Sequence, residues 1–453
     1  MERLKFPGRL SDISQTTWKH CCSQPPAAST DSLMLHHPRF PETRSYIGPI
    51  LHKGASPFSH LPREIYDPIV RSISRKDDLL SLCLCSRLFR YECQRVLYDD
   101  VRLRGTPRLI AFANAILSNP ILGPLVHKLT LPTRAFLSPY ERQRLRDAIR
   151  RLSSLHELYL KHRMTQFECA NAYVDPELLE GSSAELELFH TELDYPDGSL
   201  PLDSPFFKQH PHLNHLHLAW ESCPEPLTLA PCLDCQRGGR LTQLSLGPDL
   251  PNLRQLHVEN PDLLSLFSGC PLRCLHLKNV IMTSEKISML SRFLGQFSRT
   301  LTNLGLQVKF PTSLAQTVER ESGIVCNLVQ SICSSLPKLN VLSLSGEIII
   351  APERCSQWLP LSNTALETLV LNTSKREYHI SDSQSIQGTN SPEKNGRDLA
   401  LAIFEIAPAI QRFAVGRSGC IAEAGGSWCY ARRNGKVCFE GRGVLGEDCW
   451  MKV

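Results

Sequence analysis

LRCLHL, residues 272–277, places leucines at 272, 275 and 277 with a histidine between the last two. The closing Leu-x-Leu alternates apolar with polar, the period of a strand with one buried face, and the first leucine fits the turn that feeds it. The same pattern returns as VHKLTL at 126, LHELYL at 155, SAELEL at 183, LNHLHL at 213, LTQLSL at 241 and LRQLHV at 253. After 272 come LTNLGL at 301, LNVLSL at 339, LETLVL at 366 and IQRFAV at 410. Successive copies lie 29, 28, 30, 28, 12, 19, 29, 38, 27 and 44 residues apart, and a recurring step of this size marks a stacked array with insertions. A step of 12 cannot hold a strand, a helix and two turns. The copy at 253 is therefore taken as the strand, and the one at 241 as a strand extension or loop.

Helical stretches fill the intervals: 107–117, 139–152, 284–297, 319–336 and 397–406. A strand followed by a helix, repeated, predicts a right-handed crossover stack with parallel strands on one face and helices on the other. Each unit buries three aliphatic side chains at about 1.5–3 kcal/mol apiece, so no unit stands without its neighbours. The copies resemble the divergent leucine-rich repeats of F-box proteins. Pro132, Lys161, Ala219, Gly247, Glu259 and Lys278 follow the strands where regular repeats stack an asparagine, which implies an irregular arc. Asn434-Gly435 between alternating segments predicts a hairpin over 427–441 that caps the sheet edge.

Upstream lies LPREIYDPIVRSISRKDDLLSLCLCSRLFRYECQRVLYDDV, residues 61–101. Leu61, Ile65, Ile69 and Ile73 recur every four residues along one helix face. Ser74 and Asp77 predict the start of a second helix, with Asp77 and Asp78 against the positive end of its dipole. Leu79, Leu80, Leu82, Leu84, Leu88 and Phe89 are too many for one stripe, so burial on more than one side is expected. A third helical run is expected within Phe89 to Val101, with Cys93, Val96 and Leu97 inward and its end at Tyr98. Forty residues are near the lower limit for an independent core, so such a unit needs a partner.

Leu-Pro-x-Glu-Ile, then Asp-Leu-Leu-x-Leu-x-Leu-x-Ser-Arg-x-Phe, then Leu-Tyr-x-x-Val, resembles an F-box. The resemblance implies docking on a Skp-type adaptor, and through it on a cullin scaffold, with Leu61, Pro62, Ile65, Ile69, Leu79, Leu80, Leu84, Ser86 and Phe89 as the adaptor-binding residues. Pro68 departs from the pattern, because an interior proline costs about 3 kcal/mol. Either the first helix begins at Pro68 or the interface is distorted there.

The expected fold class is thus α/β: a short three-helix F-box-like unit followed by an irregular leucine-rich-repeat solenoid. The expected boundaries are a flexible leader over 1–56, the helical unit over 57–103, the repeats over 104–420 and the hairpin cap over 421–453. Polar loops are expected at 221–240 and 375–397. At 453 residues the chain has room for two or three domains, and its net charge of +5 is too slight for a nucleic-acid binder. No apolar run suits a signal peptide or a membrane span, so the cytoplasm and/or the nucleus is expected, with the 18 cysteines reduced. Cys83, Cys85, Cys274, Cys326 and Cys333 sit in apolar runs as small core side chains.

Candidate chemistry is sparse. Cys223, Cys232 and Cys235 hold a single Cys-x-x-Cys where a zinc site needs a second pair, and His215 and His217 read as solvent-facing strand residues. Gly441-x-Gly443-x-x-Gly446 has no following helix to receive a pyrophosphate. No nucleophile-and-base arrangement is present. No metal, cofactor or catalytic residue is therefore expected, and the arginine-rich helix at 141–151 reads as a solvated face. Tyr159, His217, His257 and Lys278 stand at or just after outward strand positions and are the expected contacts to an unknown protein client. Two functions follow: a substrate-recognition subunit of a Skp-cullin-F-box type ubiquitin ligase, or a repeat scaffold with no ligase link.

Overall fold

A computed structural model describes residues 62–132, 137–161, 181–182, 184–193, 205–220, 250–259, 261–309, 318–346, 348, 365–373, 392–417 and 428–442. Among the described residues three helices come first: α1 (Arg63–Ser72), α2 (Lys76–Cys85) and α3 (Arg87–Asp99). The strands follow as β1 (Asp100–Arg102), β2 (Lys128–Pro132), β3 (Glu157–Lys161), β4 (Leu188–Leu193), β5 (His215–Trp220), β6 (Gln255–Val258) and β7 (Cys274–Ile281). After them come β8 (Asn303–Lys309), β9 (Val341–Gly346), β10 (Thr368–Thr373), β11 (Arg412–Arg417), β12 (Trp428–Arg433) and β13 (Lys436–Arg442). Between strands lie α4 (Thr106–Ser118), α5 (Pro139–Ile149), α6 (Pro205–Gln209), α7 (Ser284–Gly295), α8 (Val318–Ser335) and α9 (Pro392–Ile406).

Among the described residues the fold is α/β with one thirteen-stranded sheet in strict chain order. Neighbours from β1 to β11 pair parallel, and β11–β12 and β12–β13 pair antiparallel. The leucine pattern sets the register. Leu129, Leu158, Phe189, Leu216, Leu256, Leu275, Leu304, Leu342, Leu369 and Phe413 align across the sheet and are all buried. The first leucine of each copy is buried at the preceding turn, and there the ladder begins. The carbonyl of His127 accepts from the N–H groups of both His156 and Glu157 at 2.9 and 3.0 Å, and Asn214, Arg254, Arg273, Thr302, Asn340 and Glu367 repeat this fork. Each turn is thereby locked to the next before the strand starts, which satisfies backbone groups that a buried turn would otherwise leave open. The helices pack on the leucine face: Leu109 and Phe112 of α4, Leu290 and Leu294 of α7, Val325 and Ile332 of α8 and Ile403 of α9 share one core with the strands. The described cysteines are free, with Cys274, Cys326 and Cys333 buried as expected but Cys85 exposed.

The copy expected at 183 is out of register by three residues. Leu188 pairs with Glu157 and His215, so the strand-bearing sextet is Leu186 to Thr191, with Phe189 in place of the middle leucine. An odd shift exchanges the two faces of a strand, and it moves His190 to an outward position. Residues 241–249 lie outside the described set, and β5 pairs directly with β6, so the copy at 253 supplies the strand. The hairpin forms: Asn434 and Gly435 both have positive φ, 51° and 73°, as a two-residue turn matched to sheet twist requires. Arg412 of β11 reaches the Glu440 carboxylate of β13 at 3.0 Å and pins the hairpin to β11, while Arg433 of β12 reaches the same carboxylate at 2.8 Å within the hairpin.

In the helical unit, α1 begins at Arg63 and runs through Pro68; the helix neither starts at the proline nor stops there. Ser74 makes no cap, since α2 starts at Lys76 behind Arg75 without a side-chain bond, although Asp77 and Asp78 do occupy its first turn. The third helix ends at Asp99, one residue past the expected Tyr98, and residues 100–102 form β1. Propensity alone does not stop this helix; pairing of Asp100, Val101 and Arg102 with Lys128, Leu129 and Thr130 does.

Candidate functional site

The helical unit has a core of its own, made by Tyr66, Val70, Leu79, Phe89 and Cys93. Tyr66 and Phe89 meet edge to face with centroids 4.8 Å apart, a favoured aromatic geometry. Ser86 caps α3 by accepting from the Phe89 N–H at 3.2 Å, and Asp67 ties α1 to Arg95 of α3 at 3.5 Å. Burial raises the Cys93 thiol pKa to about 12, so this cysteine stays a neutral core side chain.

The expected adaptor-binding residues therefore divide. Leu79 and Phe89 are buried in that core, and Ser86 caps α3 from a half-buried position. Ile65, Ile69, Leu80 and Leu84 face outward with 40%, 37%, 55% and 81% of their surface exposed, joined by Leu88 and Tyr91. Pro62 is exposed at the mouth of α1, and Leu61 lies outside the described residues. The α2 leucines are thus not buried on several sides within this chain; only Leu79 is buried.

On the sheet face away from the leucine core, one column reads Thr130, Tyr159, His190, His217, His257, His276, Gly305, Ser343, Val370, Ala414 and Cys429. Strands about 4.8 Å apart bring matched rings into contact. Tyr159 and His190 lie 5.5 Å apart, His190 and His217 3.9 Å, His217 and His257 3.7 Å, and His257 and His276 4.4 Å between centroids.

His215 and His217, expected to be solvent-facing, are consequently half-buried. His257 is only 8% exposed, because its neighbours in the column shield it. Burial, reinforced by nearby histidines and Lys278, lowers the pKa of His217 to about 2 and depresses that of His257 strongly; burial and Lys278 bring His276 to about 3. These rings are neutral at pH 7. His215, on the same face, is also lowered by burial, with His190 adding to the shift.

At one end of the column, Lys128 pairs with Glu157 at 2.7 Å, and the Tyr159 hydroxyl donates to Glu157 at 2.9 Å. Burial works against the Glu157 carboxylate, but the bonds from Lys128 and Tyr159 outweigh it and hold its pKa below the usual range. Beside the column, Glu259 follows His257 by two residues on the same strand side and meets Lys278 at 3.4 Å. Asn279, with φ 56°, and a register shift between Leu277 and Val280 return Val280 to the core just beyond Lys278. His217, His257 and Glu259 offer ligand atoms within 4.8 Å of one another, the one such group of metal-binding residue types among the described residues.

Of the expected client contacts, Tyr159, His217 and His257 thus share one column and Lys278 adjoins it. Sequence alternation alone missed His190 and His276, although the letter pattern His-x-His at 215–217 and the single histidines of LRQLHV and LRCLHL carry the signal. Cys223, Cys232 and Cys235 lie outside the described residues, as do Gly443 and Gly446. No helix among the described residues is long and apolar enough to cross a membrane. No family model and no curated protein matches the chain.

Proposed function

We propose that this chain is a substrate-recognition subunit of a Skp-cullin-F-box type ubiquitin ligase. In this reading α1–α3 are an F-box that docks on a Skp-type adaptor, and β1–β13 with their helices are an irregular leucine-rich-repeat solenoid that holds a protein client. The chain contributes binding, and catalysis belongs to other subunits. The observation that carries the reading is a unit whose own core is complete while Ile65, Ile69, Leu80 and Leu84 remain outside it. Apolar side chains gathered on short helices are what an obligate partner covers. For the client, the reading assigns the outward sheet face around Tyr159 and Lys278, whose rims carry both charge signs. His217 and His257 support that face from within it.

The test is co-purification of the full chain with a Skp-type adaptor, next to a Leu80→Asp/Leu84→Asp variant. Covering two leucines is worth about 3 kcal/mol or more, so the variant loses on the order of 100-fold in affinity with unchanged thermal unfolding. A wild type that does not bind where known F-box units bind removes the ligase reading.

One observation favours the second function, a repeat scaffold with no ligase link. The helical unit is continuous with the sheet: α3 leads straight into β1, and Tyr98, Val101 and Leu103 pack against the main core. A cap on the first sheet edge needs this continuity, whereas an adaptor-docking unit needs the exposed leucines, and the same binding experiment separates the two.

A further inference from the structure

We propose that His217, His257 and Glu259 bind one divalent transition-metal ion of the zinc class on the histidine-bearing face of the sheet. Two imidazoles and one carboxylate are a ligand set that zinc accepts, with the fourth position left to water or a ligand from a partner. The three donors come from two adjacent strands locked in register: His217 pairs with His257, and Glu259 continues the ladder by donating its N–H to the Leu218 carbonyl at 3.2 Å. This backbone lock fixes the donor spacing before any ion arrives.

Their ligand atoms lie within 4.8 Å of one another. Tetrahedral zinc with bonds of about 2.1 Å wants donors roughly 3.4 Å apart, so the His217 and His257 rings, stacked with planes 16° apart, have to turn out of that stack to aim a nitrogen each at one ion. The Nε2 of His217 is buried without a hydrogen-bond partner among the described residues. The opposing feature is Lys278, whose ammonium lies 3.4 Å from Glu259 and is a third exposed. An arriving ion displaces it into solvent and takes over the carboxylate.

The experiment uses the full chain stripped with chelator, with Zn2+ titrated against a chromophoric competitor and Co2+ added as a spectroscopic probe. All proteins carry Cys232→Ser and Cys235→Ser, so that those thiols cannot supply the signal. One equivalent of Zn2+ and a tetrahedral Co2+ spectrum are expected. Glu259→Gln, which keeps the shape of a half-buried side chain, lowers affinity at least about tenfold. His257→Gln lowers it further, and Lys278→Met raises it. Circular dichroism checks that each variant is folded. Wild-type affinity retained in Glu259→Gln overturns the proposal whatever the histidine variants do. So does the absence of stoichiometric uptake in the parent protein.

Discussion

Lowering the pH from 7.0 to 5.5 destabilises this protein through buried histidines far more than through its surface. His257 and His210 are 8% and 1% exposed. Burial depresses both, His210 to about 4 and His257 further, with His217, His276, Lys278 and His190 adding to the shift at His257. The unfolded chain takes up protons near pH 6.5, whereas the folded rings stay neutral. The unfolded state thus binds more protons below 6.5, and stability falls with pH from there. The stabilisation is fully present above pH 6.5 and is lost progressively below it; for His210 the loss levels off near pH 4.

Between pH 7.0 and 5.5 each such ring costs about 1.2 kcal/mol, and the two together about 2.5 kcal/mol. That is a large part of a typical folding free energy of about 5–15 kcal/mol. His217 and His276 add to it in the same direction. Tyr159 faces the same column, and burial pushes its hydroxyl above its ordinary value, so it keeps its proton throughout this window.

The assay is urea unfolding followed by circular dichroism at both pH values, for wild type and for His257→Leu. The variant is expected to be less pH-sensitive than wild type by about 1 kcal/mol, whatever its absolute stability. Parallel shifts in the two proteins would show that the column is open to water and its rings titrate normally.

Three further outcomes test other parts of the structure. Leu79→Ala opens the small core of the helical unit and lowers its stability by about 2–5 kcal/mol, read as early loss of protection from hydrogen exchange over residues 63–99. Gly346→Ala is destabilising, because Gly346 has φ 111° and an added Cβ meets the Val308 carbonyl on β8; thermal unfolding reads the loss. Ser138→Ala removes the capping box in which Ser138 and Glu141 satisfy each other's backbone N–H groups, costing about 1 kcal/mol, again read by unfolding.

The leucine spacing by itself determined the succession of strands from 126 onward, their parallel order and the helices between them. An alternating strand with one buried face has few other ways to cover that face. The Asn-Gly hairpin was equally legible, because only such residues adopt two consecutive left-handed conformations cheaply. The copy near 183 was misread because Phe189 fills a leucine position and several apolar frames compete locally. Only pairing with β3 and β5 selects the frame that buries Phe189. β1 was invisible for a related reason: its three residues carry no leucine pattern and become a strand only because β2 lies beside them.

The two candidate surfaces depended still more on tertiary structure. Sequence named Ile65, Ile69, Leu80 and Leu84 together with Leu79 and Phe89, since apolarity does not say which side of a short helix is covered. Packing of α1 and α2 on α3 separated those that build the unit from those it leaves exposed. Alternation marked His217 and His257 as outward but could not tell outward from exposed. In-register strands stack them with His190 and His276, residues up to 86 positions apart in the chain. That stacking shields His217, His257 and His276 from water and keeps these three neutral beside Glu259. The chain encodes each histidine locally, and only the sheet makes them one site.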